Sequence, residues 1–79
     1  MPEVFFHSRS LRGKRVEVWL SENYRIEGEL LEYFESNENL VLKNYKEWKK
    51  VKQWKKVGEG SLIIIRGKVW KLLKKKHEL

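Results

Sequence analysis

The sequence predicts a mainly β fold, a short N-terminal helix followed by a five-stranded, strongly bent antiparallel barrel. Three observations predict it. Apolar residues keep a helical spacing before Gly13 and alternate from Arg15 onward. Breaks reading SEN, ESNEN, GEGS and RGK divide the alternating part into short runs. The chain has 79 residues, room for one domain with one core of marginal stability.

Each element has a local reason. Pro2 suits a first helical turn, Glu3 sits near the positive end of the dipole, and Gly13 can end the helix. Val4, Phe5, Ser8 and Leu11 then share one side, and about two to three turns persist only when docked on something else. In RVEVWL, Val16, Val18 and Leu20 point one way while Glu17 and Trp19 point the other, as in a half-buried strand. SEN makes a tight turn in which Asn23 accepts the left-handed conformation.

YRIEGELLEYF resumes as a strand with Tyr24, Ile26, Gly28 and Leu30 on one face, and Gly28 falls where a strand of a small barrel bends sharply. After ESNEN, the next strand carries Leu40 and Leu42 on one face and Val41 on the other. KKVKQWKK, from Lys49 to Lys56, reads as a projecting hairpin tip in the most basic part of the chain. Trp48, Val51, Trp54 and Val57 recur at every third residue, which also permits a helical turn there. The domain is expected over 1–74, with 75–79 as a basic, solvated tail.

The stretch SLIIIRGKVWKLL breaks the alternation. A barrel strand has one inside and one outside, yet Leu62 to Ile65 are all apolar, so both faces need cover. The chain has no cysteine to form a disulfide, and His7 and His77 stand too far apart in sequence to found a structural zinc site. Oligomerisation is the stabilising supplement that remains. No metal or cofactor is expected.

Composition narrows the function classes. Eighteen Lys and Arg face 11 acids, all glutamate, and the net charge of +7 favours a polyanionic partner. A Lys- and Glu-rich chain without Cys and with a single Gln also suits a protein kept soluble at high temperature. No apolar run approaches the ~20 residues that span a bilayer, and the N-terminus lacks the order of a signal peptide. The chain is therefore expected to be cytoplasmic, and its final KHEL, which matters only behind a signal peptide, is discounted. With no Cys, no Asp and two isolated His, no catalytic residue can be nominated, and an enzyme is not expected.

Two stretches resemble the signatures of the Sm and Sm-like (LSm) proteins, archaeal type. From Val16 to Leu42 the order is strand, turn, Gly28, then Phe34, Glu35 and Asn39-Leu40-Val41-Leu42; the second is Ile65-Arg66-Gly67 followed by Val69 to Leu73. The resemblance implies an Sm fold, a short helix on a five-stranded SH3-like barrel. It also implies rings of six or seven subunits in which the fourth strand of one pairs with the fifth of the next. Self-association is then expected through Leu62, Ile63, Ile64 and Ile65 with Val69, Trp70 and Leu72, which would cover the second face of the apolar run.

The same resemblance implies non-catalytic binding of single-stranded, usually U-rich RNA at the inner rim, as a scaffold or chaperone. Carried over, Asn39 reads a base edge, Arg66 stacks on a base or grips phosphate, and Gly67 allows close approach. Glu35 falls where the family has an Asp that orients the Asn. Asn37 falls where many members have a stacking aromatic or histidine, so stacking worth about 1–3 kcal/mol per nucleotide is missing from one side. Glu38 replaces a usual apolar residue, and Lys68 adds charge that favours phosphate over base. One extra residue before Asn39 leaves Tyr33 or Phe34 as a stacking platform, the other belonging to the core. Weaker uridine selectivity than the family norm is expected.

Plainer readings stand beside these: Asn39 capping a turn, Arg66 pairing with a glutamate, and the lysines of 49–56 as a solvated surface. Those lysines do, however, adjoin Trp48 and Trp54, a mix of charge and stacking surface that single strands favour. Two other functions remain open: a small basic SH3-like barrel that binds structured RNA as a monomer, and a divergent Sm-like assembly module that has lost RNA binding.

Overall fold

A computed structural model describes residues 11–34, 36–66 and 69–74. Five strands follow in order: β1 (Arg15–Ser21), β2 (Tyr24–Phe34), β3 (Asn39–Lys50), β4 (Trp54–Ile65) and β5 (Lys71–Lys74). All pairings are antiparallel, and they form one sheet in the order β4-β3-β2-β1-β5. Among the described residues, the outer edges of β4 and β5 therefore have no strand beside them. The helix expected from Pro2 and the tail over 75–79 lie outside the described residues, although Leu11 packs against the core.

Alternation builds the core. Val16, Val18, Ile26, Leu30, Leu40 and Leu42 all turn to one side of the sheet and are buried, and Ile65, Val69 and Leu72 complete the cluster.

The bend sits at Gly28. Glu27 faces Lys46 and Glu29 faces Lys43, so Asn44 and Tyr45 together oppose the single Gly28. Asn44 takes φ 51°, the left-handed conformation that one class of bulge requires. A Cβ at position 28 would lie 3.1 Å from the Lys43 carbonyl oxygen and 3.2 Å from the Tyr45 Cα. Any side chain here would press on the β3 backbone, so glycine eases the close approach of β2 and β3 where they curve.

Three local expectations change. Ser21 Oγ accepts the Asn23 N–H at 3.2 Å and closes the β1–β2 turn, and among the described non-glycine residues the positive φ angles fall on Glu38 and Asn44, not on Asn23. The helical spacing around Trp48 is not used: β3 and β4 form a long hairpin with Lys50 opposite Trp54 and Val51–Gln53 at its tip. β4 also runs through GEGS instead of starting after it. Gly58 and Gly60 lie beneath the side chains of Glu47 and Tyr45, and a Cβ on Gly60 would stand 2.8 Å from the Tyr45 ring. These glycines accommodate cross-strand side chains within the ladder.

The apolar run divides between two faces. Ile65 is buried and Ile63 packs against the core, whereas Leu62 and Ile64 face out and are 57% and 50% exposed. On the opposite edge, Trp70 and Leu73 are 46% and 42% exposed. Ile65, Val69 and Leu72, expected at a subunit contact, instead lie in the core of their own chain, and Leu73 takes the outward place expected of Leu72.

Candidate nucleic-acid interface

The β2–β3 turn and the start of the β4–β5 link meet at one end of the sheet. Phe34 is opposite Asn39, and Leu40 is opposite Ile65, the residue before Arg66. The preceding rung, Tyr33, Leu40 and Ile65, faces the core. Phe34 and Asn39 therefore share the outward face, and Arg66 follows directly on Ile65 at the end of β4. Phe34 is 48% exposed and Arg66 is exposed.

Such a row has complementary chemistry. A phenyl face stacks on a base, an amide offers a donor and acceptors to a base edge, and a guanidinium stacks or grips phosphate.

The turn itself is closed by Asn37. Its Oδ1 accepts the Asn39 N–H at 3.1 Å, and Glu38 between them takes φ 58°. Asn37, not Asn39, is the side chain that caps the turn. Of the other expected site residues, Glu35, Gly67 and Lys68 lie outside the described residues.

Of the two neighbours between which sequence left the choice, Phe34 is the one that faces out. Leu30 faces Leu42 and Glu32 faces Val41, so Leu31 is an extra residue on β2. That irregularity turns Tyr33 inward onto Leu40 and Phe34 outward. Periodicity could not have placed it, because a one-residue slip exchanges the two faces.

Among the described residues, no helix is long and apolar enough to cross a membrane. No group of three His, Cys, Asp or Glu among them could hold a metal ion.

The family model for the LSM domain matches residues 7–72. No protein in a comparison with curated proteins matches the chain. Among solved structures, the Pyrococcus abyssii Sm protein in complex with a uridine heptamer is similar with a TM-score of 0.74 and 22% identity, over 90% of this chain and 96% of that one. A heptameric archaeal Sm protein gives 0.68 and 22%, over 90% and 98%. The P. aerophilum SmAP1 heptamer gives 0.69 and 21%, over 94% and 95%.

Proposed function

The chain belongs to the LSM-domain family, and from that membership we propose that it closes into a ring of six or seven copies that binds single-stranded RNA without catalysing a reaction. The observation that carries this reading is the pair of unpaired edges. β4 offers Leu62 and Ile64, β5 offers Leu73 with Trp70 beside it, and each edge supplies what the other lacks. A ring formed by joining them has no free edge and covers the exposed half of the apolar run. Two of the similar structures are heptamers, and one holds a uridine heptamer.

The RNA site in this reading is the row of Phe34, Asn39 and Arg66, with Asn37 fixing the turn and Glu35, Gly67 and Lys68 completing the pocket. The proposed domain spans 1–74, and the assembly acts as a cytoplasmic scaffold or chaperone for RNA. Each pocket is shallow. Repetition round a ring raises the overall affinity well above that of one pocket.

Titration with oligo(U) and oligo(A) tests the site. Asn39→Ala should reduce the preference for uridine, and Arg66→Ala should weaken both ligands with a smaller salt slope. Loss of one stacking or charge-assisted contact worth about 1–3 kcal/mol corresponds to roughly 5- to 150-fold per nucleotide bound. An Asn39→Ala/Arg66→Ala chain that binds oligo(U) as tightly as the parent contradicts the assignment.

A further inference from the structure

All four tryptophans gather on one outward surface at the other end of the sheet. The registers place Lys71 opposite Trp19, Trp19 opposite Arg25, Arg25 opposite Trp48, and Trp48 opposite Lys56. One rung thus crosses five strands and alternates cation and indole. Its neighbours Val18 and Ile26 are in the core, so the row faces out.

The β3–β4 hairpin folds a further indole onto this row. The Arg25 guanidinium carbon lies 4.2 Å from the centroid of Trp54, 5.4 Å from Trp48 and 5.6 Å from Trp19. Trp54 meets Trp19 edge-on at 5.4 Å, and Trp70 meets Trp19 at 6.5 Å. Lys71 Nζ sits 4.9 Å from Trp19 and 5.1 Å from Trp70.

We propose that this cation–tryptophan surface is a second binding site for single-stranded nucleic acid, separate from the strand-end row of Phe34, Asn39 and Arg66. Trp48 stands nine positions along β3 from Asn39, towards the other end of the strand and beyond the bulge at Asn44 and Tyr45, so the two sites occupy different ends of β3. Aromatic faces interleaved with cations, bordered by Lys50, which stands opposite Trp54, suit a strand whose bases stack while its phosphates track the charge. Lys56 contributes less, since its Nζ lies 2.8 Å from Glu59 Oε1.

An acidic protein segment would use the lysines and leave the indoles without a role. Base-edge reading is not built in. The Trp19 indole N–H already donates to Glu17 Oε1 at 3.1 Å, while Trp48 Nε1 and Arg25 Nε are cut off from solvent and have no hydrogen-bond partner among the described residues. Selectivity between bases should therefore be small and salt dependence steep.

Intrinsic tryptophan fluorescence reads this surface directly. In an Asn39→Ala/Arg66→Ala chain, oligo(U) and oligo(A) should still quench the emission, with affinities within about threefold of each other, and with binding about tenfold or more weaker at 200 mM than at 50 mM salt. Adding Trp54→Ala to that chain should weaken binding at least fivefold. Lys50→Glu, which changes one exposed side chain on the face of Trp48 and Trp54, should also weaken binding if the tryptophan variant fails to fold. The proposal is overturned if the Asn39→Ala/Arg66→Ala chain no longer binds either oligonucleotide at 50 mM salt, or if poly-glutamate binds it as tightly as they do. Failure of the strand-end reading gives a different pattern, in which Asn39→Ala/Arg66→Ala changes nothing and Trp54→Ala removes all binding.

Discussion

Leu62→Glu combined with Ile64→Glu is expected to reduce the assembly to single chains that retain their β-sheet. In one chain both side chains face out from the β4 edge and are at least half exposed, so glutamate meets water there and the fold loses little. In a ring the same positions lie against the β5 edge of a neighbour, beside Trp70 and Leu73. Burying an unpaired carboxylate at an apolar contact costs several kcal/mol, and a closed ring repeats that cost at every junction. Light scattering should report the mass of one chain while the far-ultraviolet circular dichroism keeps the signal of the parent. A double variant that still assembles at full mass removes β4 from the contact.

Leu30→Ala should act in the opposite sense, through the fold itself. Leu30 is fully buried at the centre of β2, opposite the equally buried Leu42. Deleting its branched end removes apolar contact and leaves a cavity, at a cost of about 2–5 kcal/mol. For 79 residues the whole stability of the single chain is roughly 4–12 kcal/mol at ~0.05–0.15 kcal/mol per residue, so this one change takes a large share of it. In the single-chain background of Leu62→Glu/Ile64→Glu, denaturant unfolding should show a lower midpoint at an unchanged slope. Leu62→Ala in a chain otherwise unchanged should leave the strength of the sheet intact and weaken assembly alone. A Leu30→Ala chain as stable as its parent means that the core is not where alternation puts it.

Much of this architecture is legible in the residues. Val16, Val18, Leu40 and Leu42 announce inward faces by their spacing, Gly28 marks the bend, and Leu62 to Ile65 signal a strand with more than one apolar environment. Sequence could not decide which half of that run faces in, because its four residues have no polar partner to break the symmetry. The registers with β3 settle it by pairing Ile65 with the buried Leu40 and Ile64 with Val41. Sequence also placed a break at GEGS, since glycine usually weakens a strand; the Tyr45 and Glu47 side chains lie over those positions, and that is visible only across the ladder.

The candidate sites were legible to different degrees. Asn39 and Arg66 stand out through their neighbours in the chain, whereas the outward facing of Phe34 depends on the extra residue at Leu31. The surface around Arg25 joins side chains from all five strands and is hidden from any local window. Only the hairpin pair of Trp48 and Trp54 hinted at it. Trp19 and Arg25 were readable as alternating outward residues without a partner, and the antiparallel registers supply the partners.

The mass of the native assembly tests the central claim most directly. Light scattering of the unmodified chain, free of RNA and over a range of concentrations, should give six or seven times 9.6 kDa, about 58 or 67 kDa. A constant mass of 9.6 kDa contradicts the account, because β4 and β5 would then be edges that no neighbour covers.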